Sequence, residues 1–290
     1  MISKLLNLKC YEYKYIKYPS GVYDSFVDIT YIITITGSQR SKDLYEKLKL
    51  FNPTSNICIV YNKGYKKCNK ILMKQNSGFD LSNAYFNIFY HSIKKNYGNV
   101  MILEDDFEFD LKLNNDPTVI NDMKTFFDNR KKESFMYNLG PFSQLCNPFI
   151  TLSLNHYKVL YATNTHGLIY TKKVRYDSLR YFFTISNEEL MSFDGFICKY
   201  FTMYFYKYPL CYQLFPVTEN SELWGNIFLR TIFKITDLEK NVKPGYPIIF
   251  YIMAFISYLF FIAFALYLIV LISLVIYIMI YNDIPIKKLK

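Results

Sequence analysis

Glu104, Asp105 and Asp106 stand directly behind the apolar run Val100 to Leu103, and Glu108 and Asp110 follow within four positions. Five carboxylates in seven positions is a notable concentration in a chain of formal net charge +10. Crowded carboxylates repel one another unless a cation neutralises them. Hard oxygen ligands of this kind suit Mg²⁺ or Mn²⁺, bound through one or two carboxylates and completed by the oxygens of a diphosphate. Glu104 and Asp106 are therefore candidate metal ligands, with Asp105 between them as a contact to the same ligand. Glu108 and Asp110 fit a solvated acidic turn.

Such a cluster needs a rigid element to present it. The stretch DITYIITITGS (28–38) is β-branched and continuous, which predicts a buried strand stopped by Gly37-Ser38. SKDLYEKLKLF (41–51) carries apolar residues at helical spacing, with Ser41 as its expected cap. NICIVYN (56–62) predicts a second strand. DLSNAYFNIFYHSIKKN (80–96) predicts a helix capped by Asp80 and ended by Gly98, with Leu81, Ala84, Tyr85, Ile88, Phe89 and Ser92 on one face. The strand VMIL follows. Strand, helix, strand, helix, strand implies an α/β fold with a mainly parallel sheet flanked by helices. In such sheets ligands bind beyond the carboxyl ends of the strands, which is where the three acids emerge.

The order of these segments resembles glycosyltransferases of the GT-A fold and, more narrowly, family 25, the lipopolysaccharide glycosyltransferases and collagen galactosyltransferases. YIITITGSQRSKDLYEKL resembles the family's first strand and Arg-containing turn, and DLSNAYFNIFYHSIKKNYGNVMILEDD its helix and LEDD strand end. THGLIYTKKVRYDSL (165–179), FDGFICKYF (193–201) and YPLCYQLFPVTENSELWG (208–225) resemble later family segments in the same order. The resemblance implies a GT-A-like (Rossmann-related) domain that transfers a hexose from a nucleotide sugar, a UDP-sugar by analogy, to a hydroxyl of a protein or glycan acceptor. It implies a divalent cation at Glu104 and Asp106 and an inverting reaction, with Asp194 as base and Glu189 behind it. Thr36, Arg40, Asp105, His166 and Gln213 become contacts to the donor. On the helix before LEDD the family carries Ser-His where this chain has Phe86-Asn87. That substitution is what an inactive, tail-anchored interaction or envelope protein retaining the fold would show.

Residues 246–281 contain no charged side chain. As one helix they would extend about 50 Å, against about 30 Å of bilayer hydrocarbon. One tilted or partly interfacial transmembrane helix is expected, with a hairpin as the alternative. Residues 1–240 then form the transferase domain and 282–290 a short basic tail. The N-terminus is interrupted by Lys4, Lys9 and Lys14 and makes a poor signal peptide. A single-pass, tail-anchored chain with its domain in the cytosol is the resulting expectation. The six cysteines are scattered without metal-site pairs or an obvious secreted framework, and no usable N-x-Ser/Thr sequon occurs. The alternative is a lumenal domain with Lys287 and Lys288 as a cytosolic dilysine-type signal. The lysines are spread along the chain without a nucleic-acid motif, so no nucleic-acid partner is expected; the partners are the lipid bilayer, the sugar donor and the acceptor.

Overall fold

Ile29–Ile35 (β2) alternates its side chains between two apolar layers: Ile29, Tyr31 and Ile33 enter one core and Ile32 the other. A strand buried on both faces has no use for polar alternation, hence the unbroken β-branched run. The computed structural model of the chain describes residues 6–142, 144–147, 155–162, 166–184, 193–214, 231, 234–238 and 242–283. Within it β2 lies parallel to Asn56–Asn62 (β3) on one side and to Val100–Glu104 (β4) on the other. Tyr11–Lys17 (β1) forms the edge beyond β3, antiparallel to it.

On the other flank of β4 the sheet continues through Gly167–Tyr170 (β9), Phe135–Asn138 (β6), Thr202–Tyr206 (β10), His156–Ala162 (β8) and Gln144–Asn147 (β7). The result is a nine-stranded mixed sheet among the described residues. Three of its eight neighbour pairings are parallel, β2 with β3, β2 with β4 and β6 with β10, and the other five are antiparallel. The expected parallel block is therefore the β3-β2-β4 half, and β9, inserted against β4, reverses the pairing beyond it. A small second sheet pairs Phe107–Phe109 (β5) with Cys211–Gln213 (β11).

Helices cover both faces. Arg40–Leu50 (α1), the short Leu111–Asn114 (α3) and Pro117–Asp128 (α4) lie on one side, where Leu44, Leu48, Val119, Met123, Phe126 and Phe127 enter one core. Ser77–Lys94 (α2), Lys172–Phe182 (α5) and Phe193–Tyr200 (α6) contribute to the other. Three expected helix signals are used differently. Ser41 sits inside the first turn of α1, its hydroxyl donating to the Ser38 carbonyl at 2.6 Å, and Gln39 occupies the cap without a side-chain bond. Asn76, not Asp80, caps α2 by accepting from Phe79 N. The chain turns out of α2 at Asn96, which has φ 60°, before Gly98 is reached.

Val242–Asp283 (α7) is one unbroken helix, not a hairpin. Its first four turns belong to the domain. Tyr246, Ile249 and Phe250 are buried, the Tyr246 hydroxyl donates to the Gly140 carbonyl, and Gln144 Nε2 donates to the Phe250 carbonyl at 3.0 Å. Ser257 is buried too and donates to the Gln144 carbonyl at 3.1 Å. From Leu259 to Ile280 the side chains are exposed except for half-buried Phe261. That free stretch is about 33 Å long as a helix, which matches one hydrocarbon thickness. Among the described residues this is the one helix long and apolar enough to cross a membrane. The surplus length of the apolar run is thus absorbed by packing on the domain.

Candidate functional site

Glu104 is the last residue of β4, held by the Ile33↔Glu104 register and by its own N–H donating to the His166 carbonyl at 2.9 Å. The chain then turns out of the sheet, and the three consecutive carboxylates diverge into one cleft of about 440 Å³. Glu104 Oε1 accepts from the Tyr85 hydroxyl at 3.0 Å. Asp105 accepts from Thr34 Oγ1 at 2.7 Å and from Arg40 at 3.0 Å, so both its oxygens are engaged. Asp106 Oδ2 accepts from Gln213 Nε2 at 3.1 Å and lies 3.8 Å from the Arg40 guanidinium. Lys47 underpins the turn by donating to the carbonyls of Asp105 and Phe107 at 3.2 and 3.0 Å.

Burial, with the neighbouring carboxylates adding to it, pushes the Glu104 carboxyl up to about 8; the Asp106 and Asp194 charges are the next causes. Burial raises Asp106 to about 6, opposed by the Gln213 hydrogen bond and the Arg40 charge. Desolvation and like charge both disfavour the ionised form, and a cation would relieve both. Among the described residues, two buried oxygens in this group, Asp106 Oδ1 and Gln213 Oε1, have no hydrogen-bond partner. Among the same residues no three His, Cys, Asp or Glu side chains converge as a self-sufficient metal site. The donor set fits the other common arrangement for Mg²⁺ or Mn²⁺, in which one or two carboxylates hold an ion whose remaining positions go to substrate phosphate oxygens and water.

Gln213 reaches Asp106 because β11 lies against β5. That approach depends on Gly140, whose N–H donates to Asn138 Oδ1 at 2.9 Å. A Cβ at Gly140 would overlap the Cys211 carbonyl oxygen. Tyr212, the residue before Gln213, packs on Tyr246 of α7 with ring centroids 5.4 Å apart, so the long apolar helix is one residue removed from the site.

The opposite wall of the cleft is the loop after β3, including Lys63, Gly64, Tyr65, Lys66 and Lys67. A buried network anchors it. Lys70 is paired with Asp80 and also donates to Tyr11 and Asn62, and Asp80 accepts in turn from Asn62 and from Tyr65 N. Asp80 therefore supports the cleft wall instead of capping α2. Cys10 and Cys68 are joined by a disulfide with Cα atoms 5.9 Å apart, a pairing that the scattered cysteine spacing did not reveal.

The sequence-predicted residues divide accordingly. Arg40, Glu104, Asp105, Asp106 and Gln213 meet in the cleft. Asp194 lies in the first turn of α6, and its charge reaches Glu104, yet it is not part of the cleft lining. Thr36 lies past the end of β2 and is exposed, and Thr34, the last buried residue of that strand, takes the place at the acids instead. His166 is withdrawn from the cleft: it is fully buried, its Nε2 lies 3.2 Å from the Cys211 carbonyl, and burial holds its imidazole neutral, down to about 4. Glu189 falls outside the described residues. Tyr85 and Lys47 were missed by sequence reasoning. Tyr85 carried a signal, since it shares the buried face of α2, but an aromatic on such a face reads as core.

Neither a protein-family model nor a curated protein matches the chain. Solved structures similar to it include A197 from STIV, at 11% identity over 64% of this chain and 85% of that one, with a TM-score of 0.35. A mannose-1-phosphate geranyltransferase from Thermus thermophilus has 10% identity over 61% and 72%, TM-score 0.35. A glycosyltransferase involved in the glycosylation of the major capsid of PBCV-1 has 12% identity over 54% and 67%, TM-score 0.29. No family assignment follows from likenesses this weak.

Proposed function

We propose that the chain is a membrane-anchored glycosyltransferase that uses a nucleotide sugar, by family resemblance a UDP-hexose, and a divalent cation. The observation that carries this reading is the meeting of three carboxylates at the end of a central strand with an orphaned Asp106 oxygen, in a cleft walled on its far side by lysines. When bound, Mn²⁺ or Mg²⁺ would neutralise charge developing on a diphosphate leaving group. Glu104 and Asp106 would hold it, with Gln213 Oε1 beside them. Arg40, pinned between Asp105 and Asp106, limits the repulsion of the acids before any ligand arrives. An inverting transfer needs one carboxylate to take the acceptor hydroxyl's proton. Asp194 is the proposed base, with Glu189 as the next candidate.

A second reading is a non-catalytic protein that retains the fold. It is favoured by Phe86 and Asn87, which are both fully buried: Phe86 packs among Phe89, Phe182, Phe193 and Phe196, and Asn87 donates to the Leu6 carbonyl. Neither is available to a ligand in the cleft.

The deciding experiment is donor hydrolysis by the full chain in detergent, over a panel of UDP-sugars with Mn²⁺, beside Asp106→Asn. The transferase reading expects turnover in the wild type and a loss on the order of 10²-fold or more in the variant. Equal turnover in both removes Asp106 from the chemistry. No turnover, together with no thermal stabilisation by UDP and Mn²⁺, supports the non-catalytic reading.

A further inference from the structure

From the Cys10–Cys68 disulfide we infer that the cleft-bearing domain folds and works on the oxidising, non-cytosolic side of its membrane, with α7 carrying the chain to the cytosolic side. The inference rests on the anchor in the reading above and on nothing else in it.

Cys10 closes a short 3-10 turn before β1 and is fully buried, and its carbonyl accepts from Lys63 N at 3.0 Å. Cys68 ends the turn at Gly64, to whose carbonyl its own N–H donates at 3.0 Å. The bond therefore ties the edge strand to the base of the loop that supplies Lys63, Lys66 and Lys67 to the cleft. Two residues on, Lys70 enters the buried network with Asp80, Asn62 and Tyr11. Covalent and ionic fastenings thus converge on one wall of the site.

Disulfides persist where the surroundings oxidise thiols and are rare in a reducing cytosol, where those that form are mostly transient and exposed. Cys10 is fully buried and Cys68 half-buried, so at least one of the two sulfurs is closed to an attacking thiolate. The other described thiols do not compete for it: Cys58 and Cys211 are buried and Cys198 is half-buried. Formation of the bond removes two protons and two electrons from the two thiols. A disulfide-class oxidant accepts them by exchange and leaves as its dithiol.

The test uses the full chain expressed in a eukaryotic cell. Lys131→Thr completes an N-x-Thr sequon at exposed Asn129, just past α4, and a second version carries a spacer with a sequon fused behind Lys290. The expected result is one endoglycosidase-sensitive shift for Lys131→Thr and none for the fused sequon. Denatured samples labelled with a polyethylene-glycol maleimide should gain two further reactive thiols after reduction, and Cys10→Ser with Cys68→Ser should abolish that gain. An unmodified Lys131→Thr chain overturns the placement. An unchanged thiol count on reduction overturns the disulfide. Release of the wild type by alkaline carbonate overturns the anchor itself, a separate failure that leaves the disulfide result standing.

Discussion

The crowding of Glu104 and Asp106 makes a prediction whose sign is opposite to that of an ordinary surface acid. Burial carries Glu104 from 4.5 to about 8. Between those pH values the folded chain keeps a proton that the unfolded chain has released. Stability is therefore full below about pH 4.5, falls as pH rises through the window, and levels off above about 8. The full displacement corresponds to at most about 5 kcal/mol. Glu104 is only partly shielded at the rim and shares its charge with Asp106, so about 2–3 kcal/mol is the expected cost at pH 8. Glu104→Gln removes the charge and leaves an oxygen to accept from Tyr85. In chelator, the variant should unfold about 4–12 °C above the wild type at pH 8 and close to it at pH 5, given about 2–4 °C per kcal/mol for a domain of this size. Intrinsic fluorescence of the full chain in detergent, followed through thermal unfolding at both pH values, reads this directly. A variant that melts at or below the wild type at pH 8 would refute the picture of carboxylates held together against their electrostatics.

Two further predictions concern the supports of the cleft. Lys70→Met leaves Asp80 buried without its cation and should cost about 3–5 kcal/mol in denaturant unfolding, with part recovered by adding Asp80→Asn; a cost below about 1 kcal/mol would show the pair to be dispensable. Gly140→Ala forces a methyl against the Cys211 backbone, which cannot rotate away, and should cost at least about 2–3 kcal/mol while weakening Mn²⁺-dependent thermal stabilisation through the displaced Gln213. Unchanged melting would mean that β11 sits farther from Gly140.

The burial of β2, β3 and β4 on both faces was legible because a strand covered on two sides must be apolar throughout, and that pattern is local. So was the placement of Glu104 to Asp106 at a strand end, since an apolar run that stops in acids has one sensible exit. The apolar length of α7 was equally plain. What the sequence could not disclose are the relations between distant segments. Gln213 meets Asp106 only through the pairing of β11 with β5, Cys10 finds Cys68 across 58 residues, and Asp80 chooses Lys70 over the cap of α2. The resemblance made His166 a donor contact, yet tertiary packing closed Cys211 and Tyr246 over it. Local periodicity records which faces are buried; which groups then share a cavity is decided by chain crossings that no short window of sequence contains.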